Sequence, residues 1–233
     1  MIEMKNISKK VGNKIILDDI SLKIDEGSFV VFIGPSGCGK TTTLKLMNKL
    51  IEPTSGEIYI DGKPISKEDP IKLRRNIGYV IQSIGLFPHL TIRENIELIP
   101  KLKKDQTDEE IEQKTLELMK MVGLNPNEFL DKYPSELSGG QQQRIGLVRA
   151  IATDAKIILM DEPFSALDPI TRNQLQEWLY SLQEELKKTI VFVTHGMGAV
   201  KRFCTRAIWL HQGKIKMDGE TEKVIEEYVK TTK

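Results

Sequence analysis

The chain has 233 residues, 39% hydrophobic and 29% charged, which suits one large globular domain with a substantial core. Its 34 Lys plus Arg against 33 Asp plus Glu leave a formal net charge of +1, so no bulk attraction to nucleic acid or to an anionic membrane surface is expected. Two cysteines, Cys38 and Cys204, without CxxC spacing fit a reducing cytoplasm better than a disulfide scaffold. The start "MIEMKNISKK" has no apolar signal region, and no apolar run approaches the roughly 20 residues that span a bilayer. Work at a membrane is therefore expected to go through docking to another protein.

The first two segments, "IEMKNISKKV" and "ILDDISLKI", alternate apolar and polar residues, as antiparallel strands with one wet face do. "SFVVFIG" (28–34) is continuously apolar, the mark of a strand covered on both faces. A helical pattern follows over 40–50. "GEIYIDGKPI" (56–65) predicts a strand, an Asp-Gly turn and a second strand. Helices are expected over 108–123 and 140–152. "KIILMD" (156–161) and "TIVFVTH" (189–195) are again continuous buried strands. Between them, over 170–186, Leu175, Trp178, Leu179, Leu182 and Leu186 recur at steps that make one apolar helix face. "RAIWLHQGKIKMDG" (206–219) predicts a hairpin around Gln212-Gly213. The layout is one α/β domain, 1–233, with a mostly helical insertion at about 85–155.

Three motifs carry chemistry. "GPSGCGKT", Gly34 to Thr41, fits G-x-x-x-x-G-K-[ST], with a buried strand before it and a helix opening at Lys40. Glycines let backbone N–H groups curl around an anion, and the helix adds the positive end of its dipole. Gly34, Pro35, Ser36, Gly37, Cys38 and Gly39 are expected to form the phosphate loop. Lys40 would reach the β- and γ-phosphates, Thr41 would ligate Mg²⁺, and Thr42 would bind the nucleotide beside them. "IILMDEP", Ile157 to Pro163, delivers two carboxylates at a strand's carboxyl end, where open α/β sheets bind ligands. Asp161 is expected to serve Mg²⁺, and Glu162 the attacking water as general base or positioner. "LSGGQQQR", Leu137 to Arg144, offers a second anion-binding helix start.

Together with "SALD" (165–168) and His195 at a strand end, these motifs resemble the ATPases of ABC transporters over essentially the whole chain. The resemblance implies a RecA-like P-loop core with an antiparallel β subdomain and a helical subdomain. It implies ATP and Mg²⁺ as ligands, and a head-to-tail homodimer holding two ATP molecules. In that dimer Ser138, Gly139, Gly140 and Gln141 of one copy would face the nucleotide of the other, and Asp168 would help tie the copies together. His195 would contact the γ-phosphate, and Gln82 would sense metal and water and link them to the membrane partner. Val11 stands where relatives usually carry an aromatic that stacks on adenine.

"IGYVIQSIGLFPHLTI" and its flanks are similar to the ATPases of importers for glycine betaine, carnitine and choline. The stretch after His195 looks more like teichoic-acid and polysaccharide exporter ATPases. The expectation is an importer ATPase on the cytoplasmic face of the membrane, attached through transmembrane permease subunits, with no nucleic-acid partner. The alternatives are an exporter ATPase and a soluble non-transport ATPase of the same family.

Overall fold

The structure is a computed structural model and describes residues 1–165, 167–194 and 204–232, without the side chains of 182, 184–186 and 232. His195 and Phe203 lie outside the described residues, as do the side chains of Leu182 and Leu186.

Two sheets build the framework. The larger contains β3 (Phe29–Ile33), β6 (Ile77–Val80), β7 (Ile157–Asp161), β8 (Thr189–Val193), β9 (Arg206–His211) and β10 (Lys214–Glu220), in the order β10-β9-β3-β8-β7-β6. All neighbours are parallel except β10, which pairs antiparallel with β9 at the edge. The smaller sheet is antiparallel, in the order β2-β1-β4-β5, from β1 (Ile2–Val11), β2 (Lys14–Ile24), β4 (Ser55–Ile60) and β5 (Lys63–Pro64).

The continuous apolar runs are explained by which core each side chain enters. Phe29, Val31 and Ile33 pack into one hydrophobic cluster, while Val30 and Phe32 pack into another. Ile158 and Met160 likewise oppose Ile157 and Leu159, and Ile190 and Phe192 oppose Val191 and Val193. A strand with a core on each face has no wet side, so its apolar residues need not alternate. One core joins this sheet to the small sheet and to α1 (Lys40–Met47). The other joins it to α3 (Ile92–Lys103), α4 (Asp108–Met121), α6 (Gly139–Ala152), α7 (Pro169–Leu186) and α8 (Thr221–Thr232).

Both expected hairpin turns form. Asp61 and Gly62 have φ of 51° and 77°, and Gln212 and Gly213 have 48° and 77°; two consecutive positive φ values match the right-handed twist of the flanking strands. The short α2 (Pro70–Arg75) and α5 (Pro126–Phe129) complete the α-helices among the described residues. α3 falls inside the expected helical insertion at about 85–155, although no separate helix over 92–103 is named above. Thr91 and Glu94 form a reciprocal capping box at its start, and Pro100 sits inside it. Ile92, Ile96 and Pro100 are buried at four-residue steps, so packing against α4 and α6 outweighs the cost of the proline.

Candidate functional site

The carboxyl ends of β3, β8, β7 and β6 converge on a cavity of about 380 Å³. Its lining runs from Lys14 and Ile16 on β2, through Ser36, Gly37, Gly39, Lys40, Thr41 and Thr42, to Gln82, Asp161, Glu162 and Val193.

The loop after β3 is shaped by its glycines. A Cβ on Gly34, whose φ is +142°, would lie 2.1 Å from the carbonyl oxygen of Leu210 and 2.9 Å from Cys38 Sγ. A Cβ on Gly37, with φ +78°, would meet nothing within 4 Å. Gly34 is thus required by the fold, whereas Gly37 borders open space inside the cavity. Gly39, with φ 109°, is the N-cap of α1 and offers no side-chain cap. By contrast α3, α4 and α6 all close their starts with side-chain capping boxes. α1 therefore presents its first N–H groups and the positive end of its dipole to the cavity, an arrangement suited to an anion.

Lys40 is 5% exposed. Its Nζ donates to the carbonyls of Gly34 (2.8 Å) and Pro35 (3.0 Å). A buried ammonium held by neutral carbonyls gains most when an anion enters beside it. Thr41 Oγ1 donates to Asp161 Oδ1 at 3.0 Å across 120 residues of sequence, so the expected metal pair is brought together. A hydroxyl, a carboxylate and the Gln82 side chain lining the same cavity form an oxygen-rich donor set of the kind Mg²⁺ takes.

Glu162 follows Asp161 with φ 53°, a left-handed conformation that costs a non-glycine residue about 1–3 kcal/mol. Its N–H donates to the Val193 carbonyl (3.0 Å), and its carbonyl accepts from Ser165 N (3.2 Å) and Gln143 Nε2 (3.2 Å). The turn separates the two neighbouring carboxylates, one buried at the strand end and one partly exposed.

The remaining expected residues lie elsewhere. Val11 is 62% exposed and does not line the cavity, but its partner across the β1–β2 pair, Lys14, does. Ser138 caps α6 in a box with Gln141, Ser138 Oγ accepting from Gln141 N and Gln141 Oε1 accepting from Ser138 N. Neither these two nor Gly139 and Gly140 line the cavity of their own chain. Asp168 caps α7, and the hydrogen bonds from Thr171 hold its carboxyl below the ordinary range.

Two residues escaped the motif reading. The Tyr79 hydroxyl is buried with no hydrogen-bond partner among the described residues. Burial, and then the charge of Asp161, push its pKa up to about 12. On α6, the Arg149 guanidinium donates to the carbonyls of Gly85 (2.7 Å) and Ile84 (3.1 Å) and lies 6.0 Å from the centroid of the Phe87 ring. It pins the segment after Gln82, leaving Phe87 42% exposed.

Residues 17–165 match the family model described as "ABC transporter". The chain belongs to the ABC transporter family. Among its ABC relatives, it is 57% identical over 226 residues to the carnitine transport ATP-binding protein OpuCA of Listeria monocytogenes, covering 97% of this chain and 56% of that protein. It is 52% identical to the choline transport ATP-binding protein OpuBA of Bacillus subtilis, covering 97% and 59%. The chain thus spans little more than half the length of these relatives. Of the solved ABC structures, the dimeric post-hydrolysis state of the ATP-binding cassette MJ0796 bound to ADP and Pi superposes with a TM-score of 0.87 at 40% identity, covering 95% of this chain and 99% of that one.

Proposed function

We propose that this chain is the ATP-hydrolysing subunit of an importer for quaternary-amine osmoprotectants such as glycine betaine, carnitine and choline. One observation carries the ATPase part: an uncapped helix start, a buried lysine and the Thr41–Asp161 pair share one cavity with Glu162. Identities of 52–57% to carnitine and choline transport ATP-binding proteins support the substrate class. Those alignments leave only about seven residues of this chain outside, so they run through most of the stretch after His195 and favour import over polymer export.

In this reading residues 1–233 are one nucleotide-binding domain, with its helical part at about 85–155. The α1 N–H groups and Lys40 hold the β- and γ-phosphates, and the backbone of the loop Gly34 to Gly39 wraps them. Thr41, Asp161 and Gln82 hold Mg²⁺, which when bound neutralises phosphate charge. Glu162 accepts a proton from, or orients, the water that attacks the γ-phosphorus. The Lys14 and Ile16 wall, with Val11 at the hairpin end, faces the base. Two copies associate head to tail, so that Ser138, Gly139, Gly140 and Gln141 of each reach the nucleotide of the other. Asp168 steadies that contact, and His195 contributes to the γ-phosphate. Among the described residues no helix is long and apolar enough to cross a membrane, and permease subunits hold the ATPase at the cytoplasmic face. The half-exposed Phe87, fixed by Arg149, lies on the permease-facing surface.

The test is reconstitution with an osmoprotectant permease in liposomes. Permease and substrate should stimulate ATP hydrolysis, and Phe87→Asp should abolish the stimulation while leaving ATP binding intact, because a charge in an apolar contact is costly to desolvate. Stimulation by a polymer-exporter permease instead would contradict the importer assignment.

A further inference from the structure

We propose that Gln143 is a positioning residue for Glu162, its side-chain amide on α6 holding the turn that presents the catalytic carboxylate. This rests on the role proposed above for Glu162.

The three glutamines of "LSGGQQQR" look equivalent in sequence, and the structure gives them different tasks. Gln141 closes the helix cap with Ser138. Gln142 Nε2 donates to the carbonyls of Pro134 (2.9 Å) and Leu137 (3.1 Å), bracing the approach to the helix. Gln143 is 3% exposed, and its Nε2 donates to the Glu162 carbonyl (3.2 Å) and to Ser165 Oγ (3.2 Å). A buried amide can be satisfied by any nearby carbonyl. Here both acceptors belong to the one turn that carries the catalytic carboxylate.

That turn needs holding. Glu162 sits at φ 53°, a conformation that persists only where the surroundings over-determine it. The Val193 carbonyl fixes its N–H from β8, and Gln143 fixes its carbonyl from α6. The next helix residue, Arg144, points elsewhere, donating to the carbonyls of Val122 (3.1 Å) and Gly123 (3.4 Å) at the end of α4. Five residues separate Ser138 from Gln143, about 140° around the helix at 3.6 residues per turn. The exposed helix start and the buried amide therefore use opposite faces of one rigid element. Whatever engages Ser138 from outside acts on a helix whose other face grips the Glu162 turn of the same chain.

The experiment is a double-mutant cycle on the full chain, reading ATP affinity, kcat and KM. Gln143→Met keeps the length and apolar stem and removes the amide donor. It should lower kcat roughly 10- to 100-fold, the scale set by small misplacements of a catalytic group, with ATP affinity and KM little changed. In a Glu162→Gln background the same substitution should lower the residual rate no further, because residues acting as a unit are non-additive. A loss of general structural integrity would instead lower the rate by the same factor in both backgrounds, and that result overturns the proposal. Gln143→Asn, whose amide is one methylene too short to reach, gives the same test should the Met variant fail to fold. Normal kcat in either folded variant also overturns the proposal. A Glu162→Gln protein with undiminished turnover would refute the role of Glu162 itself, and this proposal with it.

Discussion

Gly34 and Gly37 belong to one loop yet should fail in different ways when given a methyl group. In Gly34→Ala the new Cβ would lie 2.1 Å from Leu210 O, a backbone atom of β9, and 2.9 Å from Cys38 Sγ, at φ +142°. Overpacking costs about 1–3 kcal/mol and the left-handed backbone about 1–3 kcal/mol, so roughly 2–6 kcal/mol is expected together. For a chain of this size that lowers Tm by roughly 4–24 °C. In Gly37→Ala the Cβ meets no protein atom within 4 Å at φ +78°, leaving only the backbone cost of about 1–2 kcal/mol. Gly37 lines the cavity, however, so its methyl group occupies space meant for phosphate. ATP affinity should fall at least ~10-fold, since displacing the loop's hydrogen bonds by about 1.4 kcal/mol suffices for that factor. Urea titration and calorimetry, with ATP binding followed by a fluorescent analogue, separate the two. A Gly34→Ala protein as stable as the parent, or a Gly37→Ala protein that binds ATP normally, would refute the division of the loop into a fold-required and a ligand-required glycine.

Tyr79 keeps its proton to about pH 12 in the folded chain, whereas an unfolded tyrosine loses it near pH 10. Between those values only the unfolded state is relieved by ionising, so stability should fall as pH rises from about 10 to 12 and be untouched below. Tyr79→Phe should remove this fall, about 1–2 kcal/mol after discounting for the solvent the ring still meets, as read by urea denaturation across that window. Val11→Tyr should tighten ATP binding by up to roughly tenfold, because stacking adds about 0.5–1.5 kcal/mol, with little change in preference over GTP; unchanged affinity would place the base elsewhere. Arg149→Met should cost about 3–6 kcal/mol for two lost charged hydrogen bonds and reduce permease stimulation more than basal hydrolysis; equal loss of both would show that Arg149 only stabilises the fold.

The central sheet was legible because each of β3, β7 and β8 is covered twice, and double burial writes itself as an unbroken apolar run. The two positive-φ hairpin turns were legible because Asp-Gly and Gln-Gly name their own geometry. α3 was legible only as part of the helical insertion and not by its bounds, although its Thr91–Glu94 box is a sequence-level start signal, because Pro100 argues against a helix and the tertiary contacts of Ile92 and Ile96 overrule it. At the site, the phosphate loop and the Asp161–Glu162 pair could be read from spacing alone. The hold of Gln143 on the Glu162 turn, the buried Tyr79 hydroxyl and the grip of Arg149 on the Gln82 segment could not. They come from other elements, from α6 and β6, and nothing local in "QQQR" or "GYV" marks one side chain as facing the site. That Lys14 and Ile16 line the cavity while Val11 does not is a matter of register that a short alternating segment does not settle.

ATP turnover by Glu162→Gln, measured beside ATP binding, tests the account most directly. Carboxamide for carboxylate keeps the shape and removes the proton acceptor. Turnover should fall at least ~100-fold while ATP remains bound and the two copies stay associated around it. Near-normal turnover with intact ATP binding would contradict the account, for it would mean that the cavity binds nucleotide without using Glu162 to cleave it.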